Sequence, residues 1–318
     1  MKSGLAALLL CCVAGAAPAQ DFPSRPVHLI VPYTPATGGD ILARVLAPKF
    51  SERWKSAVVV ENRPGATGNI GTEAVAKSAA DGHTLLLAAT SFSTNPSLTR
   101  ALPYDPVKSF APVGQVATSA LAVTVNAQVP AHTMRELVEL ARRQPGKLYY
   151  GSAGNGGVQH LAMELLKLDT GIDVVHVPYK GLGGAIADLI AGQVQVVISA
   201  LQSVAPHVQA GRLRMLGVMS PERVAPFTDV PTLKEQGLPD LEVETWYALF
   251  APAGTPPAAI ARVNGDLRSI MGDPGIRELL AKQGLSAAAG TPEQLGALLS
   301  RELSRWARVV NAAGIKAD

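Results

Sequence analysis

The chain has 318 residues, 28 lysines and arginines against 25 aspartates and glutamates, six histidines and two cysteines. A formal charge of +3 is too small a surplus to argue for nucleic acid, and a chain this long can bury a large core and divide into two domains. Both cysteines, Cys11 and Cys12, lie in the first nineteen residues. A mature chain that begins after them has neither disulfides nor thiol chemistry.

The opening MKSGLAALLLCCVAGAAPAQ reads as a cleavable export signal: Lys2, an apolar run from Leu5 to Ala14, and a small-x-small site at Ala17-Pro18-Ala19. Cleavage is expected before Gln20, leaving a charge of +2, since residues 1–19 hold Lys2 and no acid. The run is too short to anchor in a bilayer. Leu10 before Cys11 is not the small residue a lipoprotein signal wants. No later apolar run approaches a membrane helix in length, so a soluble, periplasmic protein is expected.

From residue 27 apolar runs alternate with amphipathic stretches, the pattern of α/β architecture with mainly parallel strands. VHLIVPY (27–33) predicts a first strand. Ile41, Leu42, Val45, Leu46, Phe50 and Trp54 recur at helical spacing over 39–55, with Pro48 inside. AVVVEN (57–62) predicts a second strand, residues 69–79 a helix, and HTLLLAAT (83–90) a third strand. A second series starts at LAVTVNA (121–127). Thr133-Met134-Arg135-Glu136 is a capping box opening a helix. Strands at 147–153, 174–179, 194–200 and 214–220, with helices at 157–168 and 182–191, complete that series. TWYALFAP (245–252) is the final strand, followed by three helices, with starts at Thr255-Pro256 and Thr291-Pro292-Glu293-Gln294. Ligands on such folds sit beyond the carboxyl ends of the strands.

Enzyme signatures are missing. There is no G-x-G-x-x-G after the first strand, no Walker lysine loop and no H-E-x-x-H. Ser152, in Tyr150-Gly151-Ser152-Ala153-Gly154, lacks the first glycine of a nucleophile elbow. The histidines (28, 83, 132, 160, 176, 207) show no metal-ligand spacing on a helix face, and His28 and His176 read as hydrogen-bonded strand residues. No metal and no cofactor are expected.

Two loops stand out as binding candidates. Thr34-Pro35-Ala36-Thr37-Gly38-Gly39-Asp40 joins a strand to a helix start, where small residues let a ligand approach unpaired N–H donors. An ordinary turn with Asp40 as a first-turn acid fits the same residues. Gly151-Ser152-Ala153-Gly154-Asn155-Gly156-Gly157-Val158-Gln159-His160 repeats the arrangement in the second series, with hydroxyl, amide and imidazole donors added. Two such loops at equivalent edges can face one another across a cleft. Lys180, in Tyr179-Lys180-Gly181, would either draw an anion inward or remain solvated; Arg63 reads as bracing its own loop.

The chain resembles the extracytoplasmic solute receptors of tripartite tricarboxylate transporters, the Bug family. The resemblance runs through SRPVHLIVPYTPATGGDILARVLAPKFSER, VVVENRPGATGNIGTEAVAKSAADGHTLLL, YYGSAGNGGVQHLAMELLK, VVHVPYKGLGGAIADLIAGQVQV, DVPTLKEQGLP and WYALFAPAGTPPAAIARVN, in family order. It implies an α/β, two-lobed periplasmic binding-protein fold (type II, Venus flytrap) with mainly parallel sheets flanked by helices. Lobe 1 is expected over 20–120 and 245–318, lobe 2 over 121–244, with a hinge near 118–123 and 242–247. By position, Tyr33 and Thr34–Asp40 (Ala36, Thr37, Gly38 and Gly39 included) correspond to the first-lobe ligand loop, with Thr90 and Ser91 beside it. Ser152, Ala153, Gly154, Asn155, Gly156, Gln159 and His160 form the second-lobe loop, with Tyr179, Lys180 and Ser199 as neighbours. The resemblance implies a small carboxylate as ligand, a monomer, and membrane transporter subunits as partners or, as the alternative, a sensory partner. One departure bears on the site. The family pattern Pro-Gly-Gly-x-Ser/Thr-Asp is here Pro35-Ala36-Thr37-Gly38-Gly39-Asp40, so a Cβ at 36 and 37 is expected to alter the loop's path.

Overall fold

The computed structural model describes residues 22–35, 37–179, 181–238 and 241–315; the export signal, Ala36 and Lys180 lie outside the described residues. The first series comprises β1 (Val27–Val31), α1 (Gly38–Trp54), β2 (Val58–Asn62), α2 (Asn69–Ala76), β3 (Thr84–Ala89) and α3 (Ser91–Leu98). Then comes β4 (Phe110–Asn126), a single strand of 17 residues. The second series is α4 (Met134–Arg143), β5 (Leu148–Ser152), α5 (Val158–Thr170), β6 (Val174–Pro178), α6 (Leu182–Ile190), β7 (Val196–Ala200), α7 (Leu201–Gln209) and β8 (Leu213–Val218). The chain ends with β9 (Glu244–Pro252), α8 (Pro257–Gly272), α9 (Pro274–Lys282), the two-residue β10 (Ser286–Ala287) and α10 (Pro292–Ala312).

The predicted strands and most predicted helices are present. Three elements have little local signal. The first eleven residues of β4, FAPVGQVATSA, carry proline, glycine and glutamine, poor strand formers. They are held extended by pairing with β9, across two register shifts that absorb the misfit. α3 contains a proline in a run of small polar residues and shows no clear helical stripe, and α7 is a nine-residue helix interrupted by Pro206.

The strand order is β2-β1-β3-β9-β4-β7-β5-β6, with β8 and β10 also on β4. β1, β2 and β3 are parallel, as are β5, β6 and β7. β4 joins the two sets. Its residues from Phe110 to Ala120 pair with β9, and those from Leu121 onward pair with β7 and β8. This register places the loops. Ala89, ending β3, faces Tyr247, which faces Ala117 on β4; Ala200, ending β7, faces Leu121. The carboxyl ends of both parallel sets therefore meet where β4 passes from one half to the other. The return crossing is adjacent: Glu244 pairs with Ala120, and the Val243 N–H donates to Met219 O at 2.9 Å.

Apolar side chains cover both faces of each half. Phe50, Leu29 and Leu267 belong to a core beneath α1 and α8, and Phe92, Trp246 and Phe250 to one beneath α2 and α3. The second half packs Tyr150, Leu161 and Ile198 on one face and Ala185, Leu189 and Val204 on the other. The helical tail, expected to return to the first series, touches both halves. Leu295 and Leu299 of α10 join the first half's core, while Trp306, Val309 and Val310 join the second half's. α10 is opened by a capping box between Thr291 and Gln294.

Trp306 is fully buried, and its Nε1 donates to Glu302 at 2.8 Å. Trp306→Ala is expected to cost about 3–5 kcal/mol, read as a lowered urea midpoint; an unchanged midpoint would show that α10 is not part of the second half's core.

Candidate functional site

The first loop is built around two tyrosines. The Tyr33 hydroxyl accepts the Ala89 N–H at 2.9 Å and bonds Ser91 Oγ at 2.8 Å, which ties the loop after β1 to the end of β3. The Tyr247 hydroxyl lies directly over Gly38, where a Cβ would come within 2.3 Å of its oxygen; only glycine fits there. Burial raises the pKa of both phenols, that of Tyr247 to about 12 with Tyr33 as a further cause. Both are neutral hydroxyls at neutral pH.

Thr37 is the N-cap of α1, at φ −80°, an extended conformation open to any residue. Its Cβ therefore carries no backbone strain. The Thr37 hydroxyl donates to Thr34 O at 2.9 Å and caps nothing. Asp40 faces inward, only 3 % exposed. Its carboxylate accepts from Arg44 Nε at 3.0 and 3.1 Å and from Asn62 Nδ2 at 3.0 Å, and that same Nδ2 donates to Tyr33 O at 3.1 Å. Asp40 thus fastens the helix start to the end of β2. Thr90 is also buried and accepts the Trp246 N–H on its hydroxyl at 2.9 Å. Arg63 pairs with Glu61 at 2.7 Å, bracing its own loop. That loop, between β2 and α2, holds Ala66 and Thr67 at positive φ, 46° and 54°, and Asn95 Nδ2 donates to Thr67 O at 3.1 Å.

The second loop rests on a polar stack. Ser152 is fully buried; its Oγ lies 2.6 Å from His176 Nε2 and accepts the Gly154 N–H at 3.2 Å. The rings of His176 and His160 stack at 4.0 Å, and Tyr150 stacks on His176 at 4.7 Å with its centroid 6.3 Å from that of His160. His160 Nδ1 accepts the Gly156 N–H at 2.9 Å, which leaves its proton on Nε2, 3.9 Å from Glu164. The Glu164 carboxylate also accepts from Tyr150 at 2.6 Å and from Lys167 at 2.9 Å. Burial lowers the pKa of His160, and that of His176 to about 4, with the neighbouring His160 adding to the effect. Both imidazoles are neutral at pH 7.

Ala153 and Gly154 are half-buried and Asn155 is exposed. Gly156 sits at φ 71°, where a Cβ would come within 2.7 Å of Leu98 in α3, so this loop touches the first half. The Gln159 side chain lies over Gly157. Tyr179 donates from its hydroxyl to Asp188 at 2.6 Å and from its N–H to Ser152 O at 3.0 Å. Ser199 is fully buried, and its Oγ has no partner among the described residues.

A common feature unites the helices that follow the parallel strands. α1, α2, α3, α5, α6 and α7 all lack a side-chain cap hydrogen bond. Of the four helices that start elsewhere, α4, α9 and α10 are capped by Thr133, Asp273 and Thr291, while α8, opened by Pro256, is not. Free N–H groups and the positive ends of several helix dipoles are therefore presented beside the crossing, a setting for an anion. Tyr247 is the site residue that sequence inspection misses. It lies inside a strand pattern, and only the β3–β9–β4 register brings it over Gly38. Among the described residues no three His, Asp or Glu side chains are grouped to hold a metal.

Two α/β halves joined by crossing strands, with their uncapped helix starts at the crossing, define the two-lobed periplasmic binding-protein class. Within it the chain belongs to the TctC family, described as tripartite tricarboxylate transporter family receptors, whose sequence model matches residues 42–315. The family is one of receptors and not of enzymes. Protein BugT of Bordetella pertussis is 36 % identical over 96 % of this chain and 94 % of its own length. A Rhodopseudomonas palustris protein solved with adipate is 33 % identical, with a TM-score of 0.79, covering 94 % of this chain and 100 % of that one. MatC of the same species, solved with malate, is 29 % identical with a TM-score of 0.75, covering 91 % and 100 %.

The histidine stack generates a pH prediction. With His176 at about 4 in the fold against the ordinary 6.5, the unfolded chain binds the extra proton between those values, so stability falls as pH drops from 6.5 towards 4 and levels off below. Urea midpoints measured across that window should decline, and His176→Asn should flatten the slope. An equal slope in the variant would place the titration elsewhere.

Proposed function

We propose that this chain is a periplasmic receptor that closes on a small carboxylate and delivers it to a transporter of the tripartite tricarboxylate type. The observation that carries this reading is the pair of uncapped helix starts, α1 at Gly38 and α5 at Val158, one at the strand ends of each half. An anion between them would gain N–H donors from both. Among the described residues, the charged or titratable side chains Asp40, His160 and His176 near these loops are already satisfied: Asp40 by Arg44 and Asn62, and the two imidazoles as neutral rings. The adipate and malate found in the two related structures support a carboxylate, and the predicted export signal supports the periplasm.

The moving parts are residues 22–120 with 245–315 against 121–244, hinged at Ala120-Leu121 and Val243-Glu244. Ligand bridging both lobes shifts the population towards the closed form. Thr34, Thr37 and the N–H groups of Gly38 and Gly39 are the first lobe's contacts; Asn155, Gln159 and the N–H groups of Val158 and Gln159 are the second's. Tyr33, Asp40, Thr90, Ser152 and His160 hold these contacts in place from behind. Ser91, Ala153, Gly154, Gly156, Tyr179 and Ser199 belong to the same loops.

Thermal shift of protein refolded to strip carried-over ligand, against mono-, di- and tricarboxylates and amino acids, tests the reading. A ligand at a hundred times its dissociation constant adds about 2.7 kcal/mol, and one clear hit is expected. Silence across the panel from folded protein would overturn the carboxylate assignment. For the ligand so found, Val158→Pro removes one donor at a position where proline suits the helix, and the extended Gly157 before it, at φ −64° and ψ 156°, accepts a following proline. Binding roughly ten- to a hundredfold weaker with an unchanged melting temperature is expected, since a hydrogen bond to a charged group contributes about 1.5–3 kcal/mol. Undiminished affinity would remove the α5 start from the site.

A further inference from the structure

Beside the strand crossing lies a second cavity, of about 470 Å³, that none of the cleft residues lines. Gln115 and Thr118 of β4 form one wall, Trp246 and the residues just before it a second, and α10 a third; Pro221, just beyond β8, closes it. Its walls thus come from both sides of the crossing.

Three observations define what this cavity lacks. The first is an unpaired buried donor. Of the chain's three tryptophans, Trp54 donates from Nε1 to Asp266 at 2.8 Å and Trp306 to Glu302 at 2.8 Å. Trp246, 3 % exposed, has no acceptor for its Nε1–H among the described residues. A buried N–H left without an acceptor is costly, and Trp246 is part of the cavity wall.

The second is a row of arginines. Arg301, Arg305 and Arg308 stand at i, i+4 and i+7 on one face of α10, and all three line the cavity. Arg305 is engaged with Glu242 O at 2.6 Å and with the Trp306 ring at 5.5 Å. Arg301 and Arg308 are exposed, with no partner among the described residues. Seven residues of helix separate their Cα atoms by about 10 Å, within reach of one anion with two or more acidic groups.

The third concerns the carboxylates on the same walls, which would otherwise repel an anion. Glu302 takes Trp306 Nε1 and lies 3.9 Å from Arg305, and Glu242 pairs with Lys234 at 3.5 Å. Glu244, whose pKa burial raises with Glu242 nearby, is the one wall carboxylate without a basic partner among the described residues. Arg301 and Arg308 outnumber it, and one indole N–H is unanswered.

We propose that this cavity is a second ligand site, for a small organic anion with two or more acidic groups, held by Trp246 Nε1–H, Arg301 and Arg308. It is independent of the cleft and does not rest on the receptor reading.

Nitrogen–proton correlation spectra of the mature protein, with the three indole N–H peaks assigned by substituting each tryptophan, provide the test. Citrate is the probe, and sodium chloride at matched ionic strength the control. The Trp246 indole peak should move saturably with citrate, the Trp54 peak should stay, and chloride should reproduce neither. In Arg301→Gln/Arg308→Gln, shown to be folded by its unchanged spectrum elsewhere, half-saturation should require at least tenfold more citrate. A Trp246 peak that does not move, or that moves equally with chloride, overturns the site. So does a shift that survives undiminished in the double variant, which would assign the citrate to the cleft instead.

Discussion

The backbone ladder of β4 is the constraint on which the rest of the molecule depends. One strand of 17 residues serves as partner to β9 in its first part and to β7 and β8 in its second. Backbone N–H and C=O groups must be paired wherever they are buried, so the change of partners at Ala120-Leu121 fixes where one sheet ends and the other begins. Both sets of parallel strands then run towards that point. The loops that follow them are brought together by register, and among the described residues no salt bridge joins them across the gap.

Within that geometry, the described charged groups beside the two loops are paired or kept neutral, and helix dipoles are left open. Asp40 is paired with Arg44 and hydrogen-bonded by Asn62, and desolvation keeps His160 and His176 neutral. Tyr33 and Tyr247 are held as phenols. Helix starts without side-chain caps supply the remaining polarity. Such a site favours an anion without fixing which one, because backbone N–H groups and partial helix charges carry little shape information. A receptor family that takes different carboxylates can keep one framework and alter the residues at its rim.

α10 adds a third link between the halves. It is apolar towards two separate cores and carries its arginines outward along the second cavity.

Much of the architecture was legible along the chain. Strand-length apolar runs such as VHLIV and VVIS, the capping residues at Thr133 and Thr291, and the glycine-rich turns at Gly38 and Gly154 depend on local preferences. These act over one to four residues and survive in any context. Family membership was legible too, from segments in order. The first half of β4 and helix α3 were not, because their prolines and small polar residues are overruled by pairing and burial. Nor was the Tyr247 hydroxyl over Gly38, the His176–His160 stack beneath Ser152, or the inward turn of Asp40. Each joins residues far apart in sequence, and which of many polar groups meet is set by strand register and packing. The sequence by itself determined the elements, the class and the character of the binding loops. Only the tertiary structure decided which loop residues are left open and which serve as bracing, since that depends on which donors and acceptors folding has already satisfied.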